Sequence, residues 1–354
     1  MINPLFWKGK RVFVTGHTGF KGGWICLWLK HLGAEVIGYS LKPATVPSFF
    51  EVAGVGEGMQ SIIGDIRDYA KLSKAISESK PDVVIHMAAQ PLVRYSYAQP
   101  AETYEVNVMG TIYLLEAVRA TPSVKAVVNV TSDKCYENQE RIQGYSENEA
   151  MGGIDPYSSS KGCAELVTSA YRQSFFEPAG IALASARAGN VIGGGDWAAD
   201  RLIPDFLRAM DTGETLYIRS PKAVRPWQHV LEPLSGYLML AEQLYNNGTS
   251  FAEGWNFGPS DDDSRTVSWI IERMAEMRKD INWQCDEKPQ LHEANLLKLD
   301  SSKSRRQLNW QPLWRLQTAL QKTLEWHEAW RNAEDMRAVS LAQINDYQST
   351  LRSN

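Results

Sequence analysis

Tyr157 and Lys161 stand four residues apart in Tyr157-Ser158-Ser159-Ser160-Lys161. On a helix that spacing puts both on one face. An ammonium beside a phenol favours the phenolate and lowers its pKa. Tyr157 could then exchange a proton with an alcohol hydroxyl near neutral pH. The pair alone is common by chance, and an ordinary surface pair is the simpler reading of it. A nucleotide loop upstream makes it more specific. Gly16, Gly19 and Gly22 recur at every third residue in Thr15-Gly16-His17-Thr18-Gly19-Phe20-Lys21-Gly22. Bare glycines let a pyrophosphate reach backbone N–H groups at the positive end of a helix dipole. The third glycine lets that helix pack on its strand. A tight turn needing positive φ is the plainer alternative, but it requires fewer glycines. Phe20, inside the loop, is expected beside the same cofactor.

Two more segments could contact a dinucleotide. The second strand ends in Gly38-Tyr39-Ser40-Leu41-Lys42, without the acid that usually holds an adenosine ribose. Ser40 can bond a hydroxyl and Lys42 can tolerate a phosphate, so NAD and NADP both stay open on this segment. Asp65 and Ile66, after the third strand, are placed for the adenine. Ser132-Asp133-Lys134 follows an apolar run at 125–130. Its side chains should emerge at the carboxyl edge of a sheet, where ligands bind. A local turn with a surface ion pair is the bland reading of Asp133 and Lys134. His86 ends a strand and reads as a structural histidine.

The elements that must position these groups are short β-branched runs alternating with helical patterns. Strands are expected at 11–15, 36–40, 61–64, 82–86, 125–130 and 181–186. Helices are expected at 22–32, 68–79, 101–120 and 157–176. The alternation implies an α/β fold, a Rossmann-like doubly wound parallel sheet covered on both faces. After Gly189 the texture changes. Residues 1–189 read as the dinucleotide-binding domain. Residues 190–354 read as a smaller, mixed, substrate-binding lobe with some segments returning to the sheet. That lobe should hold helices at 205–212, 231–246 and 316–329 and an extended segment at 215–219. The last 25 residues are polar and receive no assignment.

Composition narrows the class. The chain has 354 residues, 44% hydrophobic and 22% charged, with a formal net charge of −4. That is ordinary globular usage, not the low hydropathy and high charge of a disordered chain. It gives no basic footprint for nucleic acid. No run is long enough for a membrane span, and the first ten residues do not read as a secretory signal. A soluble, cytoplasmic protein is expected. Cys26, Cys135, Cys163 and Cys285 are scattered, which suits neither a disulfide framework nor a zinc site, and no metal is expected.

The glycine loop, Ala88-Ala89 after a strand, Asn107 on the next helix and Tyr157 with Lys161 together resemble the extended short-chain dehydrogenases/reductases. The resemblance covers most of the chain; Leu299–Ser304 and Leu308–Pro312 are similar to the family's C-terminal signature. It implies NAD as cofactor, with Ala88 and Ala89 against it. Tyr157 would be the proton-transfer residue, and Lys161 would hold the nicotinamide ribose and bias the tyrosine. Asn190, in Arg187-Ala188-Gly189-Asn190-Val191, would lie at the floor of the site. Arg201-Leu202-Ile203-Pro204 resembles a segment near the substrate nucleotide. Arg225-Pro226-Trp227-Gln228-His229 resembles one whose arginine contacts a diphosphate, a role that suits a guanidinium fork. A solvated surface charge remains the plain reading of each arginine. Trp197 is expected to wall the substrate pocket.

Within that family, Ser132-Asp133-Lys134 resembles the Thr-Asp-Glu of nucleotide-sugar 4,6-dehydratases. The resemblance makes Asp133 the acid that protonates the departing C6 hydroxyl and Ser132 the partner of the C4 hydroxyl. Lys134 stands where the family has its glutamate base. Whether it takes the C5 proton or stabilises the enolate by charge stays open. The segments around Cys135-Tyr136, Gly193–Trp197 and Arg225–His229 narrow the resemblance to enzymes acting on CDP-glucose. They imply its conversion to CDP-4-keto-6-deoxyglucose and water, for a deoxysugar of a bacterial surface polysaccharide such as O-antigen. No residue announces the cytosine. A homodimer through the helices at 101–120 and 157–176 is implied in the same way. Two alternatives remain: a nucleotide-sugar 4-epimerase or 4-reductase, and a non-catalytic dinucleotide sensor. Ser132-Asp133-Lys134 speaks against the first, Tyr157 with Lys161 against the second.

Overall fold

Runs of valine, isoleucine and phenylalanine form the centre of the molecule. The computed structural model describes residues 2–278, 281–286 and 296–353. Strands β1 (Arg11–Thr15), β2 (Glu35–Ser40), β3 (Gln60–Ile63), β4 (Val83–His86), β5 (Ala126–Val130) and β6 (Ala182–Ala188) form a parallel sheet in the order β6-β5-β4-β1-β2-β3. β4, β5 and β6 are buried along their whole length, because helices cover both faces. The order reverses between β1 and β4. In such folds that switch point opens a crevice beyond the carboxyl ends of the strands. The fold is Rossmann-like.

The helix after β1, α1 (Phe20–His31), starts at Gly19 and packs Trp24, Leu27 and Trp28 into the core. Gly16 has φ of +77°, and a Cβ there would meet Ala88 N at 2.9 Å. A Cβ on Gly22 would lie 2.0 Å from Gly16 O. Turn geometry and close approach therefore both require glycine here. α2 (Tyr69–Ser79) follows as expected. The stretch expected at 101–120 is helical from Pro100 to Arg119, but it is not regular α-helix throughout. A π-turn at Glu105–Met109 precedes α3 (Gly110–Arg119), an insertion that often marks a functional site. It carries Asn107, which accepts from Gln90 N at 2.8 Å and donates to Gln90 O at 3.1 Å and Ser160 Oγ at 2.9 Å. α4 (Pro156–Tyr171) is fixed at its start by Asp155, which accepts from Ser158 N at 2.9 Å, and by Pro156 in its first turn, a preferred pairing at helix starts.

Beyond residue 190 most strands have three residues. β7 (Asn190–Ile192), β8 (Leu216–Ile218) and β9 (Val224–His229) are joined by α5 (Leu202–Thr212), and α6 (Leu231–Asn247) packs on β5 and β6. β10 (Gly254–Phe257) pairs parallel with β6 as the seventh strand of the large sheet. β11 (Ser264–Thr266) completes a small sheet β11-β9-β7, and β12 (Trp283–Cys285) pairs with β8. α7 (Leu316–Arg331) is followed by α8 (Met336–Ser353), in the polar stretch for which no element was expected. Of its buried residues Met336, Ser340, Gln343, Ile344 and Tyr347, two are polar, so the apolar stripe is interrupted. Tyr347 packs edge-on against Trp28 and Trp314.

Candidate active site

At the carboxyl edge of the sheet lies a cavity of about 640 Å³. Gly16, Gly19, Phe20, Gly22, Ser40, Asp65, Ile66, Ala88 and Ala89 line one side of it. Ser132, Asp133, Lys134, Tyr157 and Lys161 line its floor, and Asn190, Trp197, Arg201 and Arg225 the side formed by the smaller sheets. The fold thus brings together residues spread over more than two hundred positions.

The nucleotide side fits a dinucleotide. The first N–H groups of a helix have no partner within it, and those of α1 open on the wall formed by Gly19 and Phe20. A Cβ at Gly19 would meet only Gly16 O, at 3.4 Å, so that side of the loop is open. Ser40 Oγ and Thr18 Oγ1 are 2.9 Å apart. Arg67 grips the Asp65 carboxylate at 3.0 Å through Nε and 2.7 Å through Nη2 and holds its pKa below the usual range. Two histidines nearby serve the fold. His86 bonds Thr15 Oγ1 at 2.7 Å and burial pushes its pKa down to about 3. His17 bonds Ser61 Oγ at 2.7 Å and lies at about 4. Both are neutral near pH 7.

On the floor, Ser132 caps the one-turn helix Asp133–Cys135. Its Oγ accepts from Lys134 N at 3.2 Å and donates to Asp133 Oδ1 at 3.0 Å. Asp133 is 4% exposed. Its acid role needs a raised pKa, and Lys134 next to it works the other way. Burial is the larger effect, and the carboxyl is raised despite Lys134, Ser132 and Arg225. Tyr157 departs from expectation. Burial pushes its phenol up to about 12, Asp133 adds to the rise, and the nearby Ser132 and Arg201 only partly oppose it. The cation meant to lower it is itself buried, and Lys161 is pushed down to about 8. Desolvation disfavours both charged forms, which spacing on a helix cannot reveal. Below this layer Glu165 binds Arg187 Nη2 at 2.7 Å and Ser185 Oγ at 2.6 Å, with Thr131 also donating to it. That buried network ties α4 to the sheet one turn beyond Lys161.

On the third side Arg201 is held by Asp196 Oδ2 at 2.9 Å, and it faces Tyr157 electrostatically. Arg225 donates to Val224 O at 3.1 Å and acts on the Asp133 carboxyl. Trp197 meets Trp326 and Trp330 of α7 edge-on, with centroids at 5.7 and 5.2 Å.

The sequence reading missed two features of this wall. Lys21, inside the glycine loop, donates to Tyr237 Oη at 3.1 Å with its ammonium 5.1 Å from that ring. Burial, then Lys161 and Arg201, push it down to about 7 against Asp133. A cation in the first turn of a helix opposes the dipole, and that misfit was the available signal. Asp200 joins Arg94 at 3.0 Å and Arg219 at 3.4 Å across the cavity mouth. No motif marks those three residues.

The chain matches the family model described as GDP-mannose 4,6 dehydratase over residues 13–323. CDP-glucose 4,6-dehydratase of Salmonella typhimurium is 58% identical, over 99% of each chain. A dTDP-glucose 4,6-dehydratase of Xanthomonas campestris pv. campestris is 24% identical over 89% of this chain and 92% of its own. Among solved structures, UDP-glucose 4-epimerase of Thermotoga maritima with UDP-glucose aligns with a TM-score of 0.77 at 22% identity, over 91% of this chain and 99% of that one. The dTDP-glucose 4,6-dehydratase of Bacillus anthracis in complex with NAD aligns with a TM-score of 0.74 at 22% identity, over 90% and 97%.

Proposed function

Because the chain belongs to the GDP-mannose 4,6-dehydratase family, we propose that it converts CDP-D-glucose to CDP-4-keto-6-deoxy-D-glucose and water, with NAD as its cofactor. The observation that carries this reading is a buried carboxyl with a raised pKa, Asp133, in one cavity with Tyr157, Lys161 and the glycine loop. An epimerase or reductase has no leaving hydroxyl and no use for such an acid.

Bound NAD supplies the acceptor, and later the donor, of the hydride that leaves C4 and ends on C6. Tyr157 takes the C4 hydroxyl proton. Lys161, four residues on, orients the ribose beside it. The ketone at C4 acidifies the C5 hydrogen. Lys134 works on that side of the elimination, as the base or as the charge that stabilises the enolate. Asp133 gives its proton to the C6 hydroxyl, which departs as water. Arg201 and Arg225 are assigned to the diphosphate, Asn190 and Trp197 to the sugar pocket. Ser40, Asp65 and Ile66 are assigned to the adenosine end of NAD.

The nucleotide is CDP on the strength of the 58% identical relative. The assembly is proposed to be a homodimer. Met109, Leu166 and Phe175, on the helical segments at 101–120 and 157–176, are exposed apolar groups that such a contact would cover. A cytoplasmic location belongs to the same reading.

The test uses the protein with NAD and, separately, CDP-glucose, dTDP-glucose, UDP-glucose and GDP-mannose in deuterated water. The expected result is a CDP-sugar that has lost one water and gained one deuterium at C5, with no net NADH. The same product from another nucleotide would overturn the base specificity alone. An isomer of unchanged mass would overturn the dehydratase reading.

A further inference from the structure

If the nucleotide of the substrate is CDP, the reading on which this inference rests, some group must tell cytosine from the other pyrimidines. Cytosine differs from uracil and thymine along one edge. It presents an amino group, a ring nitrogen with a lone pair and a carbonyl oxygen, which is one donor followed by two acceptors. Uracil and thymine present a carbonyl, an N–H and a carbonyl. Proteins read such edges by direct hydrogen bonds from side chains. A site that selects cytosine therefore needs one acceptor set beside a pair of donors.

The mouth of the cavity holds that arrangement. Asp200 comes just before Arg201, which is assigned to the diphosphate, and Arg219 comes just after β8. Both line the cavity, as do Ile203 and Pro204 of α5 and Leu216 and Ile218 of β8, which give a pyrimidine ring an apolar surface. Arg219 Nη1 donates to Asp200 Oδ1 at 3.4 Å, and its Nη2 to the Asp200 backbone O at 3.0 Å. A guanidinium has five N–H donors, so three are left beyond these bonds. Arg94 Nη1 donates to the same Oδ1 at 3.0 Å. With both arginines on Oδ1, no described residue donates to Oδ2 of that carboxylate. Asp200 has φ of +61°, a left-handed backbone that aspartate and asparagine adopt more readily than other side chains. Ion pairs as exposed as these add little to stability. What they do is fix an acceptor beside a fork of donors, one residue from the diphosphate.

We propose that Arg219 and Asp200 select the cytosine of the substrate. Arg219 donates to N3 and O2 of the base, Asp200 Oδ2 accepts from its amino group, and Arg94 holds the Asp200 carboxylate in place. A planar guanidinium spans two adjacent acceptors, and a carboxylate is the natural partner of the cytosine amino group. Uracil or thymine in the same position sets its N3–H against a guanidinium N–H and its O4 against the carboxylate. Those groups are then desolvated without partners, which costs binding.

The test titrates the NAD-loaded protein with CDP, UDP and dTDP in a calorimeter. The sugar is left out, so the readout does not depend on turnover. Wild type should bind CDP roughly tenfold to a hundredfold more tightly than UDP or dTDP, the discrimination expected of a matched set of base contacts. Arg219→Lys keeps the charge near the diphosphate and loses the fork. It should weaken CDP by roughly tenfold and leave UDP nearly unchanged, so the preference collapses. Asp200→Asn tolerates the left-handed backbone and can turn its amide to donate to O4. It should tighten UDP while CDP changes little, which narrows the preference from the other side and repeats the test should the lysine variant fail to fold. CDP and UDP weakening together, with the wild-type preference intact in both variants, would show that the ion pairs only shape the mouth and would overturn the inference. A wild type that does not prefer CDP overturns the CDP reading and this inference with it; a preference that survives both substitutions overturns the inference alone.

Discussion

Glu232 offers a prediction whose size can be worked from the structure. It lies in the first turn of α6 and is fully buried. Its carboxyl accepts from Trp314 N at 2.7 Å, from Leu313 N at 3.0 and 3.1 Å, and from Tyr347 Oη at 2.7 Å. Those bonds join α6, the segment before α7, and the C-terminal helix α8. Burial nonetheless wins, and the pKa rises from 4.5 to about 7, with Asp263 adding to the rise. In the folded state the carboxyl therefore holds its proton more tightly than in the unfolded chain. The stability this gives is complete below about pH 4.5 and is lost as pH rises to about 7. At about 1.4 kcal/mol per unit, the loss is about 3 kcal/mol. Glu232→Gln removes the charge and keeps the hydrogen bonds. The amide oxygen can serve Leu313 and Trp314. The amide nitrogen can donate to Tyr347, whose hydroxyl can turn to Ser235 Oγ, 3.1 Å away. Any cost of this exchange is the same at every pH. The assay is urea unfolding of both proteins from about pH 4.5 to about pH 8, followed by tryptophan fluorescence. The glutamine variant should gain on wild type by about 3 kcal/mol across that interval. Glu242, also raised to about 7 by burial, titrates in both proteins and cancels in the comparison. A stability difference that does not change with pH would refute the reasoning.

Other outcomes follow from the cavity. Asp133→Asn should slow loss of water from the sugar by roughly a hundredfold or more, while C4 oxidation continues. NADH absorbance should therefore build up after CDP-glucose is added, and an unchanged absorbance would count against Asp133 as the acid. Lys134→Ala should lose exchange of the C5 hydrogen with deuterated solvent, measured by mass spectrometry, if Lys134 is the base. Exchange at the wild-type rate would leave it the electrostatic role alone. Lys21, lowered to about 7 by burial and by Lys161 and Arg201, should favour a bound diphosphate only when protonated. NAD affinity, read by quenching of tryptophan fluorescence, should then fall as pH rises through about 7, and Lys21→Met should flatten that dependence.

The sequence determined the parallel sheet, because strands buried on both faces show as unbroken β-branched runs between helical patterns. It also determined the nucleotide loop and the helix bearing Tyr157 and Lys161, since glycine spacing, an Asp-Pro start and an i, i+4 pair are all local signals. It did not reveal α8, whose buried face is interrupted by Ser340 and Gln343, nor the π-turn that sets Asn107, nor β10, which completes the large sheet from far along the chain. The protonation states were equally out of reach. Spacing suggested a lowered tyrosine and left Asp133 balanced against Lys134. The folded cavity raised both Tyr157 and Asp133, because the cost of burying a charge depends on every element that closes over it. Lys21 shows the same division: its place in the loop is read from the sequence, while its neighbours Tyr237, Lys161 and Arg201 come from three distant segments. Local pattern fixes which groups stand on which element. Only the packing of those elements decides how much water, and how much opposing charge, each group meets.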